Sequence, residues 1–263
     1  MTESISKRGT LAGKTAVVTG AAGTIGCATV IKFLSEGARV FAVDREQADW
    51  SRLKLLRGRQ AADLICYVAD VVDEAGVAQY VQEAQAALGR IDVFFNNAGI
   101  EGEVRALHTY SLSEFRRVLD VNLIGCFLGL KSILPVMYRQ SSGAVINASS
   151  TAGLVGGAGM VAYCASKHGV VGLTRVAALE AASYGVRVNC INPGPIEGRM
   201  MLSILEQRSQ DPGAELRRIE ARIPAGRFGR PAEVAEMVTF LASDVAAFCN
   251  GGCYTIDGGL TAA

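Results

Sequence analysis

Charge imbalance is missing from this chain: 26 Lys and Arg stand against 25 Asp and Glu, for a formal charge of +1. A surface so balanced has no electrostatic grip on nucleic acid or an anionic membrane, so the expected partner is a small molecule. Histidine is nearly absent, with only His108 and His168. Neither is spaced with cysteines as a zinc site requires, and no metal is expected. No later run is long and apolar enough to span a bilayer, and the opening MTESISKRGT lacks the apolar stretch of a secretory signal. A cytoplasmic location is the expectation. Proline is scarce, and no Pro/Ser-rich linker, repeat or low-complexity tract divides the sequence, so residues 1–263 are expected to form one domain. Cysteine is not scarce: Cys27, Cys66, Cys126, Cys164, Cys190, Cys249 and Cys253 are an odd set, mostly in apolar runs, and read as reduced thiols.

What is present in quantity is core material, since 50% of the residues are hydrophobic and only 19% charged. Short β-branched runs alternate with longer helical patterns. The runs are TAVVT (15–19), ARVFAV (38–43), LICYVA (64–69), IDVFF (91–95), GAVINA (143–148), GVRVNCI (185–191) and CYTI (253–256). The first six are almost continuously apolar, as parallel strands covered on both faces are. The expected fold is therefore α/β: a single-domain, Rossmann-like doubly wound sheet of seven mainly parallel strands flanked by helices. Two helical stretches, 122–140 and 161–184, are apolar or small almost all the way round, which implies a subunit interface. The segment 198–231 is amphipathic and interrupted by Asp211-Pro212-Gly213; its part near 198–225 reads as a small helical lid.

The stretch TGAAGTIG (19–26) spaces its glycines as Gly20, Gly23 and Gly26, which is neither G-x-G-x-x-G nor a Gly-Lys-Ser/Thr phosphate loop. Its position gives it meaning. The strand TAVVTG ends at Gly20 and a helix begins near Thr24 and ends at Gly37, so the cluster is the first strand-to-helix turn. Unpaired N–H groups and the helix dipole favour a phosphate there. Twenty residues beyond Thr24, at the tip of the second strand, Asp44 is placed to accept from an adenosine ribose hydroxyl and to repel a 2′-phosphate. NAD is expected over NADP, with Arg45 as the opposing signal, because a guanidinium binds a 2′-phosphate bidentately.

The stretch NASSTAGLVGGAGMVAYCASK places Ser150 thirteen residues before Tyr163, and Lys167 four after it. Tyr163 and Lys167 then share a helical face. An ammonium beside a phenol stabilises phenolate and is expected to lower the tyrosine pKa from its ordinary ~10 toward the working pH, as a general base requires.

From KTAVVTG to TIDGG the chain resembles the classical short-chain dehydrogenase/reductase family. The matches come in order: the glycine turn, Asp70 in VADV, NNAG (96–99), Asn122 in DVNLIG, Ser150, the YxxxK of 163–167, NPGPI (192–196), and GRFGRPAEVAEMVTFLASD leading to DGG (257–259). The resemblance implies that Tyr163 exchanges the substrate proton, that Ser150 holds the substrate oxygen, and that Lys167 tunes Tyr163 and binds the nicotinamide ribose. It implies that Asn122, at a break in its helix, positions a water leading from Lys167 to solvent. For the cofactor it implies Gly20, Gly23, Thr24 and Ile25 at the glycine turn, Asp44 and Arg45 at the second strand, and Asp70 and Val71 over the adenine. Asn97, Ala98 and Gly99 would line the ribose and ring, with Pro193, Gly194 and Ile196 at the carboxamide. It also implies a homotetramer. Two positions depart from the family pattern: Thr24 replaces a glycine, and Gly198 replaces a threonine whose hydroxyl contacts the carboxamide.

The expected activity is NAD(H)-dependent interconversion of a secondary alcohol and a ketone. AGLVGGAGM (152–160) and the apolar lid favour a moderately hydrophobic, cyclic or ring-bearing substrate, with no Arg/Lys cluster to meet an anion. NNAGIEG with KHGVVGLTR resembles bacterial members acting on cyclic alcohols, diols or diketones. Two alternatives stay open: an NADPH-dependent 3-oxoacyl-carrier reductase and a non-catalytic nucleotide-binding scaffold. Among the remaining candidates, His168 reads as a packed, hydrogen-bonded residue, His108 as solvated and Cys164 as a packing residue. Glu101 reads either as a substrate contact or as a solvated loop carboxylate, and Met200-Met201 either as pocket lining or as lid packing.

Overall fold

The computed structural model describes residues 9–59 and 62–262; most of the opening segment read above for a signal lies outside them. In chain order the elements are β1 (Thr15–Thr19), α1 (Thr24–Ser35), β2 (Arg39–Asp44), α2 (Ser51–Arg59), β3 (Leu64–Val68), α3 (Glu74–Leu88) and β4 (Val93–Asn96). There follow α4 (Leu112–Leu119), α5 (Gly125–Gln140), β5 (Gly143–Ala148), α6 (Val161–Ala181), β6 (Val186–Pro193), α7 (Arg199–Arg208), α8 (Pro212–Glu220), α9 (Pro231–Ala242) and β7 (Cys253–Ile256). The strands form one sheet in the order β3-β2-β1-β4-β5-β6-β7. Every neighbouring pair is parallel, so the sheet is wholly rather than mainly so.

The near-continuous apolar runs have the expected cause. Val17, Phe41, Phe94, Val145 and Val188 point into one core with α3, α5 and α6. Ala16, Val18, Val40, Ala42, Phe95, Ile146 and Ile191 point into the other with α1 and α9. Alternate residues of each strand thus bury on opposite faces. The strand order turns back between β1 and β4, and the crevice at that switch point opens beyond the carboxyl ends of both strands.

Strand limits differ from the sequence reading where side chains intervene. β4 begins only at Val93 because Asp92 turns its carboxylate onto the Thr15 N–H, at 2.9 Å. β6 runs on to Pro193, which pairs with Ile256 of β7 and so carries the NPGPI loop rigidly to the cleft. The stretch read as one helix from 122 is α5 joined to α4 through a π-turn, Asp120–Ile124. By length and composition alone Leu112–Gln140 passes for a membrane span, with a mean hydropathy of 1.5 over its most apolar 18 residues. Half of that stretch is buried in the protein, however, and Cys126, Leu128, Ile133 and Met137 pack on the sheet, which identifies it as a core helix. Asp120 and Asn122 interrupt the apolar run in sequence and hid its length.

The lid is two helices, α7 and α8, separated where Asp211 caps α8 by accepting from Ala214 N–H at 2.9 Å. It has a small core of its own, Leu205, Ile219, Ile223 and Phe228, resting on Leu260 near the chain end.

Candidate active site

The cleft at the switch point has a volume of about 1620 Å³. Its walls include Gly20, Gly23, Thr24, Ile25, Asp44, Arg45, Asp70, Val71, Asn97, Ala98, Gly99, Ser150, Tyr163, Lys167, Pro193, Gly194 and Ile196, so one surface carries every candidate cofactor residue. Asn122 lies just behind it.

The glycine turn is built for close backbone approach. Gly20 has φ +61, and a Cβ there would stand 2.8 Å from the Ala98 Cα. Asn97 Nδ2 donates to the Thr19 and Gly20 carbonyls at 3.0 and 3.1 Å, fixing the NNAG loop against the turn. α1 starts at Thr24 with no side chain capping it, which leaves its first N–H groups for an anion. Asp44 Oδ2 accepts from Ala22 N–H at 2.9 Å, so the carboxylate at the tip of β2 is held against the same turn. The N–H donors of an uncapped helix start, a glycine turn open to close approach and a carboxylate acceptor twenty residues on fit a nicotinamide dinucleotide.

At the other end of the cleft, Ser150 stands at the end of β5, where its Oγ accepts from Ala152 N–H at 3.1 Å. Tyr163 and Lys167 share one face of α6, with the ammonium 5.6 Å from the phenol ring centre. Lys167 Nζ donates to the Ala148 carbonyl at 2.7 Å. Burial drives the two titrations in opposite senses. The Tyr163 phenol is pushed up to about 12, against a hydrogen bond with Ser150 that lowers it, and the Glu101 charge adds to the rise. Lys167 is pushed down to about 8. The expectation of a lowered phenol pKa is therefore corrected: in the protein alone desolvation outweighs the ammonium, which points at Ala148 rather than at the phenol oxygen.

Asn122 sits in the π-turn, 1% exposed. Its Oδ1 accepts from Ile100 N–H at 2.8 Å, and its Nδ2 donates to the Ile100 carbonyl at 2.9 Å and to Ser166 Oγ at 3.1 Å. The side chain is thus a clamp on the segment that follows NNAG. A Cβ on Gly99 would lie 3.2 Å from Asn122 Oδ1 and 3.4 Å from Lys167 Nζ, so these groups are neighbours.

Other candidates fall differently from the sequence reading. His168 is exposed rather than packed, with Nδ1 2.9 Å from the Cys164 carbonyl. His108 is exposed in a short turn, as read. Glu101 is neither solvated nor aimed at open cleft: it is 9% exposed and paired at both oxygens, 3.0 and 3.2 Å, with Arg199 of the lid. Met200 and Met201 line the cleft. The seven cysteines are free thiols, but only Cys27, Cys126 and Cys190 are fully buried. No metal-ligating cluster occurs among the described residues. Sequence reasoning missed the lid arginines Arg199, Arg208, Arg218 and Arg222, all on the cleft wall. Their only signal was their number in the segment 198–231, and they put basic side chains on a cleft wall where no such cluster was expected.

Comparison with known proteins accords with this geometry. The family model described as enoyl-(acyl carrier protein) reductase matches residues 20–261. Levodione reductase of Leifsonia aquatica is 40% identical over 252 residues, covering 94% of each chain. A 2,5-dichloro-2,5-cyclohexadiene-1,4-diol dehydrogenase of Sphingobium indicum is 39% identical, over 96% of this chain and 98% of that one. A 3-oxoacyl-(acyl-carrier-protein) reductase of Thermotoga maritima is 37% identical, over 95% and 98%. The crystal structure of levodione reductase superposes with a TM-score of 0.92, covering 96% of this chain and 99% of that one.

Proposed function

The chain belongs to the classical short-chain dehydrogenase/reductase family, and on that premise we propose that it is an NAD(H)-dependent oxidoreductase interconverting a cyclic or ring-bearing secondary alcohol and its ketone. The observation that carries the reading is the joining of two ends in one cleft. Tyr163, Ser150 and Lys167 stand at one end, and the glycine turn with Asp44 stands at the other.

The dinucleotide supplies the hydride acceptor or donor when bound; the protein supplies alignment and proton movement. Gly20, Gly23, Thr24 and Ile25 hold the pyrophosphate, and Asp44 selects the unphosphorylated ribose. Asp70 and Val71 cover the adenine, and Asn97 to Gly99 with Pro193, Gly194 and Ile196 frame the ribose and ring. Ser150 orients the substrate oxygen, and Tyr163 gives or takes its proton. With its phenol high, Tyr163 holds its proton at neutral pH and is a donor for ketone reduction. Lys167, brought near 8, is poised to pass a proton on.

The relatives act, by name, on levodione and on a cyclohexadiene diol, which supports a ring-bearing substrate. The carrier-reductase alternative rests on the third relative and on Arg45 beside Asp44. A panel of cyclic ketones and alcohols assayed with NAD(H) and NADP(H) tests the reading. Turnover with NAD(H) that Tyr163→Phe abolishes upholds it, while a strong NADP preference or an unimpaired Tyr163→Phe enzyme overturns it. Assembly is proposed as a homotetramer through α5 and α6, which leave Phe127, Val176 and Leu179 exposed on their outer faces. A purely monomeric mass in solution would remove that part.

A further inference from the structure

The lid places Arg199, Arg208, Arg218 and Arg222 on the cleft wall, and they are not equally satisfied. Arg199 is spent on Glu101. Arg218 is spent on Glu215, with two bonds of 2.7 Å. Arg208 is ion-paired with the same Glu215, its Nη1 3.7 Å from Oε1, so one carboxylate is shared between two guanidinium groups. Its Nη2 donates to the Met160 Sδ at 3.3 Å, a weak acceptor. Its Nε is sealed from solvent with no acceptor among the described residues. Arg222 joins no ion pair among the described residues. Two carboxylates therefore answer four guanidinium groups, and Arg208, which shares its carboxylate and is the one of the four that is not exposed, lies against Met160, three residues before Tyr163.

The sealed Nε is out of a ligand's reach, but the Nη groups on the cleft wall hold only a shared carboxylate and a weak sulfur acceptor, and a second carboxylate matches a guanidinium fork. The same cleft wall carries the apolar side chains Val155, Met160, Met201 and Ile204. One wall thus carries a proton donor, hydrocarbon and cations. We propose that Arg208, reinforced by the charge of Arg222, anchors a carboxylate at the far end of the substrate. The substrate class is then a hydroxy or keto acid whose carboxylate is separated from the reacting carbon by a ring or short hydrocarbon. The inference rests on the dehydrogenase reading above and narrows it.

The test pairs 4-oxocyclohexanecarboxylate with 4-methylcyclohexanone, which share a ring and a ketone and differ in the anionic end. Binding of each to the enzyme–NADH complex is measured by calorimetry, and turnover is followed by NADH absorbance. The acid should bind about tenfold tighter or better, and Arg208→Gln should cut the acid-to-neutral ratio of kcat/KM by about tenfold to a hundredfold, with Arg208→Lys restoring part of it. Arg222→Gln should lower the same ratio by a smaller factor, and serves where Arg208→Gln fails to fold. Equal binding of the two probes, or a ratio that neither substitution moves, overturns the proposal. Arg208-dependent binding of the acid without turnover would uphold the anchor and overturn the dehydrogenase reading. Turnover with no preference for the acid would do the reverse.

Discussion

Replacing Asn122 with leucine keeps the side-chain volume and removes every polar contact that it makes. The Ile100 N–H and carbonyl lose partners at 2.8 and 2.9 Å, and Ser166 Oγ loses a donor at 3.1 Å. Ser166 keeps its own bond to the Tyr163 carbonyl, so the cost falls on the two Ile100 backbone groups. Each stranded group costs about 1–3 kcal/mol, reduced by whatever water reaches the partly buried loop, for a net of about 2–4 kcal/mol. In a chain of this size that lowers Tm by roughly 4–15 °C. Because Ile100 follows the NNAG segment directly, part of the cost is expected as a loosened loop rather than as global unfolding. The Ile100 amide should then exchange faster, and the Kd for the nicotinamide dinucleotide should rise. Asn122→Asp, which keeps the acceptor for Ile100 N–H, should lose less. Scanning calorimetry and amide exchange check this. A Tm within 1 °C of wild type together with unchanged Ile100 protection would refute the clamp.

Two further outcomes follow from the titrating groups. A phenol that burial holds near 12 must lose its proton to act as a base, so alcohol oxidation should climb steadily from pH 6 to 9, and a fall over that range would contradict the assignment. Glu101 raises the same phenol, so Glu101→Gln should move the oxidation profile toward lower pH, as initial rates across a buffer series would record. Arg199→Met strands a mostly buried carboxylate. Arg199 itself is largely exposed, so the loss is about 1–2 kcal/mol rather than that of a fully buried pair, and the double variant with Glu101→Gln should recover most of it in thermal melts.

The parts of the site legible in sequence were those written locally. The glycine turn and the four-residue step from Tyr163 to Lys167 each lie within one turn or one helix, and Asp44 lies one helix and one strand further on in a single βαβ unit, where spacing alone sets geometry. The strands were legible because burial on both faces makes their runs continuous. What was not legible depends on partners far apart in the chain. Glu101 meets Arg199 across 98 residues, and Asn122 meets Ile100 across 22 through a π-turn that no residue pattern announces. The phenol pKa was misjudged for a related reason: proximity in the helix was visible, while the desolvation that outweighs it, and the Ala148 carbonyl that draws the ammonium away, arise only on folding. The lid arginines were visible as residues, but which of them lack a carboxylate was not.

Thr24 and Gly198 stand 174 residues apart and depart from the family pattern separately in sequence, yet in the protein they are a single contact. A Cβ on Gly198 would lie 2.6 Å from both the methyl carbon and the hydroxyl of Thr24, so the threonine fills the place of the side chain that Gly198 lacks. Gly198 also has φ +145, which only glycine adopts without strain, so its backbone and its neighbour exclude a threonine there independently. The bulk added at the first helix is thus accommodated by the bulk removed at the lid. A hydroxyl absent from the lid at Gly198 is present on Thr24, the first residue of α1 and on the wall of the same cleft. Read one at a time, these positions look like two defects in a cofactor site; in the protein they are one contact, a side chain at the glycine turn against a side-chain-free position of the lid.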